Sequence, residues 1–440
     1  MQSIDRQILR LALPSILANI TIPLVGMVDI AVAGHLDGES AALIGGITIG
    51  SMLFDLLYWN FAFLRAGTGG LTAQAYGRGD MRSAADILLR ALGIALLSAI
   101  VLIAVQWPVV KGAFLFVDCS PQVQELASRY FFIRIWAAPA SLSLMAFKGW
   151  FIGMQDSVRP MVADLIVNVG NILLSILLAF GTPLGFAGIA LGTVIAQYLG
   201  FAWCLGALLV KYGTIFKGRS FASLWEAVAH SHSRSFFRLN ADLIVRSVCF
   251  IAIYIGFTII SARYGDVLLA ASAIIMKLML FFSYFTDGFA YAGEALTGRY
   301  IGESRRDAVL QTVRHTFVWS MGIGMLFVLI NAFAAQPLFR LMTSDAAVVE
   351  ACSHFVIWLI LMPLVGCPAF TWDGIYLGAT ATKFLRNSSL WAVASFCAIW
   401  IPGHMLLGDP VASVHVLMGA YLAHLVARTV HLTCRRGSIL

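Results

Sequence analysis

Twelve apolar stretches, each 20 or more residues long, divide this chain of 440 residues. A helix rises about 1.5 Å per residue, so roughly 20 such residues cross the hydrocarbon core of a bilayer. The stretches lie near 8–33, 42–66, 83–107, 123–148, 160–180, 186–211, 234–262, 268–294, 307–333, 347–372, 387–407 and 411–433. Their apolar residues are continuous rather than alternating, which excludes barrel strands. In hydrocarbon every backbone polar group needs a partner within its own segment, and a helix supplies one. Charged residues make up 12% of the chain, about half the share of a soluble protein. The expected fold is therefore an all-α polytopic membrane protein with twelve transmembrane helices. The first stretch is too long for the apolar part of a cleavable signal peptide and lacks a small-residue cleavage site.

An even number of spans places both termini on one side. With the termini and the even-to-odd connections in the cytoplasm, twenty lysines and arginines fall there, Arg386 and Arg428 among them. Only Lys111, Arg263 and Arg340 fall on the opposite side. So strong a positive-inside bias predicts cytoplasmic termini. It also accounts for the net charge of +7 without a nucleic-acid partner, because the basic residues are spread over seven segments.

The chain repeats itself at an offset of 225 residues. "LTAQAYG" (71–77) aligns with "LTGRYIG" (296–302), and the same offset aligns "GWFIG" (149–153) with "GIYLG" (374–378). Two halves of six spans begin on the same side, so the repeats are parallel. The expectation is two six-helix lobes, 1–211 and 234–440, related by a pseudo-twofold axis along the membrane normal, with a cytoplasmic linker at 212–233. Within the linker, Phe221, Leu224, Trp225 and Val228 suggest a short helix on the membrane surface. His230 and His232 read as solvated linker residues rather than a metal pair. The seven cysteines include no CxxC, and Cys204, Cys249, Cys352 and Cys397 read as small buried apolar residues. No cofactor or metal is expected.

The chain resembles the multidrug and toxic compound extrusion (MATE) family, and its DinF-like branch in particular. The likeness rests on "LALPSILANITIPLVGMVDIAVAGHL" (11–36), "FLRAGTGGLTAQAYG" (63–77), "APASL" (138–142) and "GFAGIALGTVIAQY" (185–198). It continues in "LNADLIVRS" (239–247), "DGFAYAGEA" (287–295) and "DGIYLGAT" (373–380). The resemblance implies a bacterial inner-membrane antiporter; a monomer is expected. It would export amphiphilic, often cationic compounds on an inward proton or sodium gradient.

Asp29 is the charge that most needs an explanation, since it sits in the outer half of the first span. A carboxylate there costs at least about 2.5 kcal/mol on insertion scales. Burial away from a fixed cation favours its protonated form, so a proton-coupling role fits, as does a role as helix glue. Asp29 matches the functional first-helix aspartate of the family. Pro14 and Pro23, in the same helix, free the carbonyls of Arg10 and Asn19 and permit a kink. The fifth span offers Asn168, Asn171 and Ser175, and the sixth Thr193. In the family an acid often stands at the position of Ser175 and, with Asn171 and a residue matching Thr193, forms the first-lobe cation site. Without that acid a sodium site is weakened and protons are favoured; sodium coupling stays open as the alternative.

The second half carries Asp242, Arg246, Asp287, Glu294 and Asp373, all expected near the cytoplasmic edge. Asp242 and Arg246, spaced i, i+4, are expected to pair. Lys148, the repeat equivalent of Asp373, and Asp164 are expected to join such inner-face pairs. Asp55, in the second span, has no match in the family pattern. No GxxxxGK[ST], HExxH or GxSxG motif occurs, so neither ATP hydrolysis nor another enzyme activity is expected. A lipid-linked precursor flippase of the wider superfamily is the nearest rival; twelve spans and an acidic site argue against it.

Overall fold

A computed structural model describes residues 3–36, 40–115, 117, 119–216, 233–406 and 408–439. The expected surface helix at Phe221, Leu224, Trp225 and Val228, and the histidines His230 and His232, lie outside the described residues. Among the described residues twelve helical segments are long and apolar enough to cross a membrane. They are Ile4–Gly34, Ala41–Gly77, Met81–Ala104, Pro121–Gly153, Val158–Phe180, Phe186–Phe216, Arg238–Tyr264, Asp266–Gly302, Arg306–Met342, Val356–Gly378, Thr382–Leu406 and Pro410–Cys434.

Three spans depart from plain rods for local reasons. The second bends between Trp59 and Phe63, where the amides of Phe61 and Ala62 bond back only three residues, to Tyr58 and Trp59. The fourth starts at Pro121, with the Ser120 hydroxyl accepting from the Val123 amide, a favourable N-cap. It tightens into a 3-10 turn over Ile135–Ala137 just before Pro139. The tenth was expected from 347, but the run divides there. A short helix, Ala346–His354, is capped by Asp345 and ends at Phe355, and the crossing helix is Val356–Gly378. The short helix, despite Glu350 and His354, is apolar enough to read on into the crossing helix, so run length alone cannot show the break.

The chain divides into two compact units, one of residues 17–237, the other of residues 1–16 with 238–440. In the first unit, Trp150, Phe147 and Phe151 pack with Tyr212, and the Trp150 indole donates to the Ala84 carbonyl at 2.8 Å. The second unit is built around Phe257, Met279, Phe282 and Phe339. The first helix runs unbroken through Pro14 and Pro23, and the division at residue 16 falls between these two prolines.

The 225-residue repeat is written in the backbone as well. The only non-glycine residues with positive φ among those described are Gln155, Ser304 and Thr380. Gln155 and Thr380 are 225 apart, as are Gly79 and Ser304. All four close helices in the same way. The amide that follows each bonds five residues back, from Asp80 to Ala75, Asp156 to Phe151, Arg305 to Tyr300 and Ala381 to Tyr376. This is the Schellman cap. Close approaches repeat too: a Cβ on Gly149 would meet the Arg65 carbonyl, and one on Gly374 would meet that of Ala290.

Candidate functional site

Asp29 is held on the first span, five residues from its end, and is 5% exposed. The Ser175 hydroxyl lies within hydrogen-bonding reach of its carboxylate. Its Oδ1 has no hydrogen-bond partner among the described residues. Around it the fifth and sixth spans bring their polar side chains together. Asn171 donates from Nδ2 to Thr193 Oγ1 at 2.7 Å, and the Thr193 hydroxyl bonds the Ile189 carbonyl at 3.2 Å. Ser175 donates to the same carbonyl at 3.4 Å. Gly192 permits this meeting, since a side chain there would strike the Ser175 backbone. Asn171, Ser175 and Thr193 are all at least 95% buried, and the Asn171 oxygen has no partner among the described residues. Asn168 sits apart: it donates to Thr21 Oγ1 at 2.5 Å, eight residues and so about 12 Å along the helix from Asp29.

Sequence reasoning left a further member of this group without a role. Arg134, on the fourth span, donates from Nη1 to Tyr130 Oη at 3.2 Å and Ser51 Oγ at 3.3 Å. Its guanidinium lies over the Phe54 ring, 4.8 Å from the centroid. It is within electrostatic reach of Asp29, Asp55 and Tyr58. The sequence did mark Arg134, with Arg129, as a span-borne arginine at a depth similar to that of Asp29, but gave it no partner.

In the second unit the expected pairing of Asp242 with Arg246 is corrected, because each turns to another helix. Asp242 accepts from Arg386 Nη1 at 2.7 Å and from the Thr382 hydroxyl at 3.2 Å, both on the eleventh span. Arg246 donates from Nη2 to Asp373 Oδ2 at 2.6 Å, and Arg428, on the twelfth span, donates to the same oxygen. Both guanidinium groups lie over the Phe250 ring, that of Arg246 4.7 Å and that of Arg428 4.5 Å from its centroid. The i, i+4 rule describes a helix on its own; tertiary neighbours with better geometry displace it. Glu294 is fully buried and Asp287 half-buried on the eighth span. In the first unit Lys148 and Asp164 form the expected ion pair.

The MatE family model matches residues 14–177 and 243–398. The chain is 33% identical over 409 residues to the DNA damage-inducible protein F of Escherichia coli K12, covering 92% of this chain and 88% of that one. It is 23% identical to a probable multidrug resistance protein NorM of Thermotoga maritima over 354 residues, 79% of this chain and 74% of that protein. A crystal structure of a MATE protein in a bent conformation superposes with a TM-score of 0.87 over 100% of this chain and 96% of that one, at 15% identity, which speaks for the fold alone. The chain belongs to the MatE family, in its DinF-like branch, and is a multi-pass membrane transporter rather than an enzyme.

Proposed function

We propose that this protein is a proton-coupled multidrug efflux antiporter, exporting amphiphilic or cationic compounds across a bacterial inner membrane. Both termini face the cytoplasm, and the protein alternates between inward-open and outward-open states. The observation that carries this reading is Asp29, a carboxylate 5% exposed in a membrane span, with one oxygen free of partners among the described residues. A buried acid in a transport protein is a natural proton carrier. Protonation from the periplasm neutralises Asp29, weakens its hold on a cation and releases the substrate outward. The higher cytoplasmic pH then removes the proton.

Sodium is the rival coupling ion, and Asn171 Oδ1 with Asp29 Oδ1 would offer it two acceptors. Two acceptors are fewer than the several oxygens that sodium prefers, and position 175 holds a serine rather than an acid, whereas a proton binds covalently and needs no coordination shell. The test is ethidium transport by the purified protein in vesicles under imposed gradients. Uptake driven by a pH gradient without sodium, and abolished by Asp29→Asn, is the expected result. Transport driven only by sodium at uniform pH would overturn it.

A further inference from the structure

We infer that Arg134 is a built-in cation that sets when the polar group around Asp29 can hold a cationic substrate. The inference rests on the antiport reading above.

The guanidinium is fixed by neutral groups. Ser51 and Tyr130 accept its hydrogen bonds at 3.3 and 3.2 Å, and the Phe54 ring lies 4.8 Å away. Its charge is thus held in place by hydroxyls and an aromatic face and acts on Asp29 and Asp55 together. Asp55, exposed on the second span, is the carboxylate that balances the guanidinium.

Charge arithmetic gives the function. With Asp29 ionised, Asp29, Asp55 and Arg134 carry one net negative charge, which one cation can neutralise. With Asp29 protonated the three sum to zero and the attraction is gone. Without Arg134 the group would stay negative in both states, and protonation would expel the substrate only in part. The other side chains that meet this group are tyrosines and neutral polar residues. Tyr58 and Tyr130 come from the second and fourth spans, and Tyr198 of the sixth lies near Tyr58. The fifth span supplies the neutral Asn171 and Ser175.

The experiment measures binding of tetraphenylphosphonium, a permanent cation, to the purified protein in nanodiscs as a function of pH. In the parent, acid displaces the cation. Arg134→Gln keeps a hydrogen-bonding side chain but removes the charge. It is expected to raise the pH of half-displacement by about one unit or more and to leave residual binding at acid pH. Arg134→Lys is expected to keep the parent profile. The double variant Arg134→Gln with Asp55→Asn restores the charge sum and is expected to return the profile toward that of the parent. Arg129→Gln, an exposed arginine on the same span, is expected to change nothing. An unshifted profile in Arg134→Gln would overturn the inference, as would a shift that the double variant does not reverse, since that marks a structural role. Parent binding indifferent to pH would instead overturn the antiport reading, and this inference with it.

Discussion

Arg428 donates to Asp373 with its side chain 3% exposed and that of the aspartate 8% exposed. Such a pair is costly to bury but more costly to break, because the survivor is left charged in an apolar surround. Here Arg246 shares the same oxygen, so losing the carboxylate strands two guanidinium groups. Asp373→Asn is expected to destabilise the protein by about 3–5 kcal/mol. Arg246→Gln, which leaves the Asp373–Arg428 pair in place, is expected to cost less. Apparent melting temperatures in detergent check the order; equal losses would show that Arg428 does not satisfy the aspartate without Arg246.

Asp242 and Arg386 make a second test, because the expectation from spacing named a different partner. If the contact at 2.7 Å is what holds Asp242, then Arg386→Ala lowers stability and exchanging the two residues recovers part of the loss. Arg386 is 32% exposed, so the coupling is expected at the lower end, about 1 kcal/mol. A double-mutant cycle reads it. Coupling between Asp242 and Arg246 in place of Asp242 and Arg386 would refute the assignment.

The paired glycines predict equal sensitivity in the two halves. Gly149→Ala and Gly374→Ala each push a methyl group into a backbone carbonyl of the neighbouring helix, which cannot turn aside as a side chain does. Each is expected to lose about 1–3 kcal/mol or more. Gly26→Ala, with nothing within 4 Å, is expected to be tolerated. Membrane abundance and melting temperature are the readouts, and a tolerated Gly374→Ala would show that the close approach is not tight.

How much of this was legible in the sequence depends on the length scale of the signal. Spans are visible because hydrocarbon thickness imposes a run length, and Asp29 stands out because it interrupts one. The Gly149 and Gly374 segments betray the repeat because only glycine fits where helices cross that closely. Partners were not legible. Arg386 and Arg428 lie near span ends, where they look like orientation signals, and the packing that gives them to Asp242 and Asp373 joins residues more than 50 positions apart. Arg134 was obscured in the same way, because charge at a given depth has meaning only once its neighbours are known. The break at Phe355 escaped notice because both flanking helices are apolar.

Asp156 supplies a prediction in pH. It follows the fourth span, just outside the membrane-crossing helices. It accepts from Arg159, from Lys211 at 2.9 Å and from the Tyr212 hydroxyl at 3.2 Å. Burial pushes its carboxyl upward, but the bonds from Lys211 and Arg159 outweigh that and hold it below the usual carboxylate range. A depressed value means that the folded state binds the proton less readily than the unfolded chain. The stabilisation is therefore complete above the unfolded value, near pH 4, and is lost as pH falls through the lower folded value. At neutral pH Asp156→Asn is expected to cost on the order of 2 kcal/mol. As the medium is acidified below about pH 4, the gap between parent and variant should close, because the parent's own carboxyl becomes neutral. Melting temperatures of the two proteins across that range make the comparison. A gap that stays constant into strong acid would mean that the cost of the substitution is shape rather than charge.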